Sequence, residues 1–442
     1  MRPHSVPWLD GGRGCVVRLG HRRAGQCCPD SRTGRARPET MFAGLAMPPR
    51  DVVDPVAALT LRAWMLRALA DPAARDVRAL DAVAACTPAT WDLVLRVERC
   101  ALALRSALAD VEPAPLPPPI ASLLKNAATV ELRRNLSALM QLRMLGELAR
   151  EHGWRVVALK GAVAAAARIP IDVSDIDVVT HPDHAPALAA ALDARGYAPY
   201  GAGSRSHLAA RLKPGGIQIE VHHALALIED LPAFLNRAVP LDSIPGLFVP
   251  APADHLWHLL VHSVLYHPDR RGRIRDLLLI RHAAVDAPPD AVRVVERRIA
   301  AHADAAPLRA ALAMARELDH PPGPSERFAR ITRDKYFLAC QRFPLPRGHV
   351  RRKLLAHTAS FLDGTTSLAN QIRRVATAPV MDPTTIRPIA WLMRYAPRIG
   401  GLCRRLMRMI QVLVCYVVVR TARRRAQRVL PLPPVSDGNV AG

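Results

Sequence analysis

Two short segments of this chain alternate acidic and apolar side chains, which is the pattern of β-strands with one buried face. The first spans residues 175–179 and reads DIDVV, so Asp175 and Asp177 share one face while the apolar residues take the other. The second spans residues 217–222 and reads IQIEVH, with Glu220 on its polar face. If the two strands are neighbours, three carboxylates meet, and Mg²⁺ combines such oxygen ligands with water and substrate phosphates. The pattern predicts a divalent-cation site on a sheet and indicates phosphoryl or nucleotidyl transfer.

An apolar strand and a tight turn precede the first acidic strand. Residues 155–159 read RVVAL, and Lys160 and Gly161 then turn the chain into an Ala-rich helix. A glycine at a helix N-terminus lets backbone N–H groups approach a phosphate, and a lysine there adds a point charge. Further on, KPGG at residues 213–216 predicts the turn of a β-hairpin. These segments predict a compact mixed α/β unit over residues 153–235.

Helical segments flank this unit, so the sequence predicts an α+β fold with a small mixed-sheet core between two helical regions. Apolar residues recur at spacings of three and four from residue 120 to 152, and Gly153 ends this amphipathic helix. Asp254 is expected to be the N-cap of a later helix. The predicted organisation is a disordered or non-native lead, a helical region, the core, a second helical region and a basic, apolar tail. Their boundaries are residues 1–46, 47–152, 153–235, 236–400 and 401–442.

Composition limits the setting and the partners of the chain. Half of its 442 residues are apolar, which excludes a disordered protein. Its eight cysteines show no paired CxxC spacing, which favours a reduced, cytoplasmic setting. The net charge of +23 comes mainly from arginine and indicates an anionic partner such as a nucleotide, a nucleic acid or lipid headgroups. A general bias of the sequence toward Arg, Ala and Pro is the alternative explanation.

The tail contains the segment that comes closest to a membrane span. It covers residues 410–419 and has arginines on both sides, but it is shorter than the roughly 20 apolar residues that a spanning helix needs. The segment is predicted either to be a buried terminal helix or strand with a basic flank, or to lie in a membrane interface as a peripheral contact.

The motifs in and around the core follow one order: LKGA at residues 159–162, DIDV at residues 175–178, and then Glu220. This order resembles the superfamily of nucleotidyltransferases that shares the fold of DNA polymerase β. The sequences ALKGAV, SDIDVV, ARGYAPY, IEVHHAL and RIRDLLLI are similar, more narrowly, to the group of uncharacterised nucleotidyltransferase family proteins. The likeness covers most of residues 120–285.

The resemblance implies a Mg²⁺-dependent enzyme, with Mn²⁺ as the other candidate ion. Such an enzyme transfers a nucleoside monophosphate from an NTP, in the first place ATP, to an acceptor. The acceptor is open among a small molecule, a peptide or protein, and RNA. The implied catalytic and metal-holding residues are Asp175, Asp177 and Glu220. The implied nucleotide- or phosphate-binding residues are Lys160, Gly161, Ala162 and Ser174.

Other polar residues near these motifs have two interpretations each. His222 is expected either to contact the substrate or orient Glu220, or to be a structural histidine. Arg168 is a candidate for substrate contact because it follows the predicted phosphate turn. Asp172 is expected to be a loop or capping acid rather than a catalytic one.

Two clusters lie on the C-terminal side of the core. His255, His258 and His262 share one face of a predicted helix, which suits either a second metal site or helix packing. Residues 270–275 read RRGRIR and are basic enough to bind phosphate or nucleic acid, with a solvated loop as the alternative.

A different class of function is also consistent with these motifs. Ala162 stands where many members of the superfamily have serine, and Ile171 stands where members of the narrower group often have arginine. The alternative to an enzyme is therefore a protein with the nucleotidyltransferase fold that has lost catalysis and acts by binding, as an adaptor.

Overall fold

The computed structural model describes residues 53–71, 86–109, 116–266, 272–316 and 397–430 apart from residues 202, 205, 226 and 227, together with residues 75, 83, 318 and 332–336. The predicted lead at residues 1–46 and the first two arginines of the basic segment 270–275 lie outside the described residues, as does much of the second helical region.

A mixed sheet of seven strands carries the two acidic segments side by side. Its strands are β1 (Val156–Leu159), β2 (Asp175–Val179), β3 (Ala198–Tyr200), β4 (Ala210–Leu212), β5 (Gln218–His222), β6 (Val239–Pro240) and β7 (Leu247–Val249). Their order across the sheet is β3-β4-β5-β2-β1-β7-β6. Strand β2 pairs in parallel with β5 and antiparallel with β1, so it lies at the centre. The neighbouring acidic strands that the sequence predicts are therefore present.

Helices precede, interrupt and follow the sheet, which confirms the predicted α+β class. Before the sheet are α1 (Pro55–Ala70), α2 (Pro88–Glu98), α3 (Ala101–Leu108) and α4 (Pro118–His152). Between its strands are α5 (Gly161–Ala166), α6 (Ala185–Ala194) and α7 (Leu231–Arg237). After it are α8 (Pro252–Val261), a π-helical turn (His262–Tyr266), α9 (Ile274–Asp286), α10 (Pro289–Ala301), α11 (Ala305–Arg316) and α12 (Pro397–Val429).

The centre of the sheet is covered on both faces because side chains alternate along each strand. On β1, Val156 and Ala158 pack into an apolar cluster that includes residues of α4, α5 and α6. Val157 and Leu159 point to the other face and pack against Phe234 of α7 and its neighbours. Since all four residues of β1 are fully buried, this strand reads as a continuous apolar run, as expected for a strand with no solvated face.

The ends of two helices test the capping predictions. Gly153 adopts a left-handed conformation (φ 66°) directly after α4, as predicted, and this conformation is one that glycine adopts without a steric penalty. The prediction for Asp254 is wrong, because α8 begins two residues earlier at Pro252, a residue suited to the first helical position. Asp254 is instead buried, where it accepts hydrogen bonds from Arg237 and Arg298 at 2.9 Å each.

The structure contains the predicted hairpin and shows that the apolar tail segment is helical. Strands β4 and β5 pair antiparallel around the predicted turn, in which Gly215 has a φ of 77°. Residues 410–419 lie within the long helix α12. Across the ranges that the structure describes, no helix combines the length and the apolar character that crossing a membrane requires.

Candidate active site

The polar faces of β2 and β5 meet at one point of the sheet. In the parallel register of the two strands Asp177 lies directly opposite Glu220. Their carboxylates and the imidazole of His222 offer ligand atoms that all lie within 4.8 Å of one another. Within the described ranges, this is the one group of three acidic, histidine or cysteine side chains close enough to hold a metal ion. The alternation of β5 explains it, because Glu220 and His222 are two residues apart and share a face.

Asp177 is the most deeply buried acid of this group, at 3% exposure. One of its oxygens, Oδ1, accepts a hydrogen bond from Lys160 Nζ at 3.0 Å and lies 3.0 Å from His222 Nε2. Burial acts to raise the pKa of Asp177, but the charge of Lys160 and the hydrogen bond with His222 outweigh it and hold the pKa well below its usual range. The carboxylate of Asp177 is therefore ionised at neutral pH.

Lys160 adopts a backbone conformation that is unusual for a residue with a side chain. It occupies the position between β1 and α5 with φ 51° and ψ −120°. Conformations of this type cost about 1–3 kcal/mol and persist only where the surrounding structure enforces them, often at functional sites. Here the strained turn sends the Lys160 side chain to Asp177, where 12% of that side chain is exposed. Lys160 is thus held against the carboxylate cluster.

Glu220 and Asp175 flank Asp177 in more open surroundings. Glu220 accepts a hydrogen bond from Gln218 at 3.0 Å, and burial together with the charges of Asp177 and Asp175 raises its pKa. Asp175 is half-buried at the start of β2 and accepts a hydrogen bond from Ser174 Oγ at 2.8 Å. The structure therefore places Ser174 against a carboxylate, and places Asp175 outside the group formed by Asp177, Glu220 and His222. The predicted metal and phosphate roles of these two residues stay predictions.

The C-terminal helices supply a wall of the site that local sequence patterns do not reveal. A small cavity of about 20 Å³ borders Lys160, Asp175 and Asp177 on one side. Leu259, His262, Ser263, Arg275, Asp276 and Leu279 border it on the other. These six residues come from α8, the π-helical turn and α9, which lie about 80–100 residues after β2 in the sequence.

Arg275 is the main functional candidate on this wall. It is 5% exposed and donates hydrogen bonds to the backbone oxygen of Asp172 at 2.6 Å and to Asp276 Oδ1 at 2.9 Å. Burial acts to lower its pKa, but the charges of Asp276, Asp175 and Asp172 outweigh burial and raise it. Arg275 is the last residue of the basic segment 270–275, for which the sequence offered phosphate binding as one interpretation, but nothing in that pattern joined it to β2.

Arg275 lies close to the backbone at position 161. A Cβ atom added to Gly161 would lie 3.0 Å from Arg275 Nη2 and 3.6 Å from Val173. The side chain of the next residue, Ala162, is fully buried in the apolar cluster on the α4 side of the sheet. The side chain of Ala162 therefore packs in the core, and any contact of this turn with phosphate would come from its backbone.

A second, larger cavity also borders Lys160. Its volume is about 180 Å³, and its walls are mostly apolar residues of α5, β7, α8 and α9, with His255, His282 and Asp286 among them. Lys160 and Leu279 border both cavities, so the two cavities are neighbours.

The three histidines of the predicted C-terminal face do not form a metal-binding group in the described structure. The rings of His258 and His262 are 6.0 Å apart, and neither ring nitrogen of His258 has a hydrogen-bond partner among the described residues. Burial lowers the pKa of His255 to about 4 and that of His258 to about 3, the latter with help from the charge of Lys160. Both rings are therefore neutral at pH 7, and the helix-packing interpretation fits them.

Asp172 and Arg168 are not part of the carboxylate group. Asp172 is fully buried and accepts hydrogen bonds from Arg99 at 2.6 Å and Arg134 at 3.1 Å, so it links α4 and the end of α2 to the loop before β2. Its role is therefore structural, and it joins separate elements through two arginines instead of capping one helix. Arg168 is exposed beyond the C-terminal end of α5, at the opposite end of that helix from Lys160. The structure does not bring Arg168 to the site, and its contact with substrate stays a prediction.

The residues present fit a divalent cation that prefers oxygen ligands. Asp177 and Glu220 supply carboxylate oxygens from adjacent strands, and Asp175 adds a third carboxylate beside the cavity that Asp177 borders. Carboxylates of this kind suit Mg²⁺ and Mn²⁺, and the imidazole of His222 is an additional ligand type that transition metals accept. The ammonium group of Lys160 lies 3.0 Å from Asp177 and partly neutralises its negative charge, as a bound cation would also do.

A mixed sheet with carboxylates on adjacent strands, next to a lysine at a strand-to-helix turn, defines an α+β protein of the nucleotidyltransferase type. The chain belongs to the family described as "Uncharacterised nucleotidyltransferase", whose model matches residues 87–319, just over half of the chain. This match confirms the resemblance and extends it on both sides of residues 120–285. Membership supports a general nucleotidyl-transfer function. A search among curated proteins gave no match.

Proposed function

We propose that this protein is a Mg²⁺-dependent nucleotidyltransferase that moves a nucleoside monophosphate from an NTP, with ATP as the first candidate, to an acceptor. The observation that carries the proposal is the cluster of Asp177, Glu220 and His222 with Lys160 bonded to it. In the reaction an acceptor oxygen bonds to the α-phosphorus, the bond from that phosphorus to the bridging oxygen breaks, and pyrophosphate leaves. The proton of the acceptor hydroxyl goes to a base on the protein.

Asp177, Asp175 and Glu220 are the residues that would hold the metal. When bound there, the ion would supply positive charge that stabilises the phosphate oxygens during transfer. Asp177 suits this role because its pKa is held low and its carboxylate remains ionised. His222 lies within hydrogen-bond distance of the same carboxylate and fixes its orientation.

Glu220 has an alternative role as the base, in a site where Asp175 and Asp177 alone hold the metal. Burial and the two neighbouring aspartates raise the pKa of Glu220, which makes its carboxylate a stronger base than an exposed one. Its side chain is 20% exposed, so an acceptor hydroxyl has access to it from solvent. If Glu220 accepts the proton, Glu220→Gln lowers the rate of transfer more than it weakens nucleotide binding.

Two buried cations are the proposed phosphate contacts. Lys160 and Arg275 border the same cavity as Asp175 and Asp177, and both can donate several hydrogen bonds to phosphate oxygens. Gly161 and Ala162 begin α5 directly after Lys160, and they are proposed to contribute backbone N–H groups. The adjoining cavity of about 180 Å³ is the proposed position for the base of the nucleotide or for an apolar part of the acceptor.

The test combines binding with transfer. Isothermal titration with each Mg²⁺-NTP is expected to show binding, with Mg²⁺-ATP as the first ligand to try. Mass spectrometry of candidate acceptors incubated with the NTP is then expected to show the mass of one nucleoside monophosphate added, and pyrophosphate release in equal amount. Asp175→Asn and Glu220→Gln are each expected to lower the transfer rate at least about 100-fold.

A matched control separates the site from general loss of acidic charge. Asp183 follows β2 in sequence, and its side chain is 85% exposed, so Asp183→Asn is expected to leave binding and transfer unchanged. Full activity in both site variants contradicts the assignment. Binding of Mg²⁺-NTP without transfer to any acceptor favours the alternative, a binding or adaptor protein with the same fold.

A further inference from the structure

Helix α12 carries four exposed apolar side chains that form a stripe between Leu406 and Val417. Leu406, Ile410, Leu413 and Val417 are between 46% and 55% exposed. Their spacings are four, three and four residues, so at 100° per residue they fall within an arc of about 60° on the helix surface. Four large apolar side chains in one line are more than the isolated exposed residues that most surfaces contain.

The opposite face of the same helix holds it to the rest of the chain. Val419, Ala422 and Ala426 are buried, at 3% exposure or less, and they project about 180° away from the stripe. Arg423 donates a hydrogen bond to Asp334 at 2.8 Å, and Arg333 donates one to Gln427 at 2.8 Å. The C-terminal half of α12 is therefore anchored through the side opposite to the line of the stripe.

Exposed arginines continue the line of the stripe toward the C-terminus. Arg420, Arg424 and Arg428 are exposed and follow Val417 at spacings of three, four and four residues. The line of side chains from Leu406 to Arg428 is about 33 Å long at 1.5 Å per residue. It is apolar in its first half and cationic in its second.

The charge of the helix decides which partner fits this line. Residues 397–429 contain nine arginines and neither Asp nor Glu. A second copy of the helix would bring like charges together, whereas a surface of anionic lipid offers both acyl chains for the stripe and negative headgroups for the arginines. We infer that the exposed face of α12 binds the interface of an anionic membrane, with the helix lying parallel to the surface.

The experiment is flotation of the full chain with lipid vesicles. At about 0.1 M salt the protein is expected to float with vesicles that contain phosphatidylserine and to stay behind with phosphatidylcholine alone. At about 1 M salt, where the screening length falls to about 3 Å, the bound fraction is expected to decrease at least tenfold. Replacing Ile410, Leu413 and Val417 together by serine, or Arg420, Arg424 and Arg428 together by glutamine, is expected to weaken binding. For the arginine variant the loss is about 100-fold, from about 1 kcal/mol per basic residue.

Each variant has a control of the same chemistry elsewhere on the surface. Val285 and Met140 are each 71% exposed on other helices, and their joint replacement by serine is expected to leave vesicle binding unchanged. The same holds for the exposed Arg133, Arg143 and Arg297 replaced by glutamine. Circular dichroism confirms that each variant is folded.

Three results would overturn the inference. The first is equal binding to anionic and neutral vesicles, or to neither. The second is an equal loss of binding in the control variants, which would mean that net charge or general hydrophobicity is responsible. The third is a dimer in sedimentation velocity that dissociates when the stripe is replaced by serine, because the stripe would then be a contact between two copies of the chain.

Discussion

Asp177→Asn is expected to destabilise the metal-free protein, although active-site carboxylates are often removed without loss of stability. In the structure one oxygen of Asp177 contacts both Lys160 and His222, and the side chains of Asp177 and Lys160 are only 4% and 12% exposed. Asparagine keeps the shape but leaves the lysine charge buried without compensation. Breaking a buried ion pair in this way costs about 3–5 kcal/mol. Because Lys160 retains some contact with solvent, we expect the lower end, about 3 kcal/mol.

The assay is urea unfolding at pH 7.5 in the presence of EDTA, followed by circular dichroism. Lys160→Met and the double variant complete a double-mutant cycle, and the coupling free energy is expected to be about 2 kcal/mol in favour of the pair. Asp183→Asn is the control, because the side chain of Asp183 is 85% exposed, and it is expected to change the free energy of unfolding by less than about 1 kcal/mol. An Asp177→Asn variant as stable as the wild type, or more stable, refutes the reasoning.

Two further predictions concern buried groups outside the carboxylate cluster. The pKa of His258 is about 3 in the folded chain and about 6.5 when unfolded, so only the unfolded state binds its proton between these values and the stability contribution is lost as pH falls. The free energy of unfolding of the wild type therefore decreases between pH 7 and pH 5, and His258→Gln is expected to make that decrease smaller by about 2 kcal/mol. Urea titration at both pH values measures it. An unchanged decrease in the variant contradicts a neutral buried ring. Asp172→Asn is expected to lower the free energy of unfolding by about 3 kcal/mol, because Arg99 and Arg134 lose their shared buried partner. Nucleotide binding by the folded protein, measured by calorimetry, is expected to stay unchanged. Loss of binding in folded protein would give Asp172 a direct role in the site.

The short-range features of the core were predictable because they depend on local periodicity. Alternation identified β2 and β5, and it placed Asp177 and Glu220 on polar faces that could meet. Spacings of three and four identified α4, and glycine at position 153 identified its end. Even the strained position of Lys160 lies where a turn between strand and helix was expected, although its positive φ is not encoded by any local pattern.

The contacts within the site were less predictable because they depend on packing between distant elements. Alternation placed His222 beside Glu220, but its 3.0 Å contact with Asp177 depends on the register of β2 against β5. Arg275 is 100 residues beyond Asp175, and only the packing of α9 brings it to the cavity beside β2. The expected cap at Asp254 failed for a local reason, since Pro252 begins the helix and leaves Asp254 in its first turn.

The charges around the cavity show why the core and the C-terminal helices act as one unit. The sheet supplies the carboxylates of Asp175 and Asp177, and among the residues that border the small cavity the cations are Lys160 from the turn and Arg275 from α9. Asp175 and Arg275 influence each other, as the raised pKa of Arg275 indicates, so removal of α9 would leave the acids of β2 with less compensation and open the cavity to solvent. A fragment limited to residues 153–235 would therefore have the carboxylates without one of the two cations proposed to bind phosphate. The family match points the same way, because it spans residues 87–319 and includes both the sheet and this helical wall.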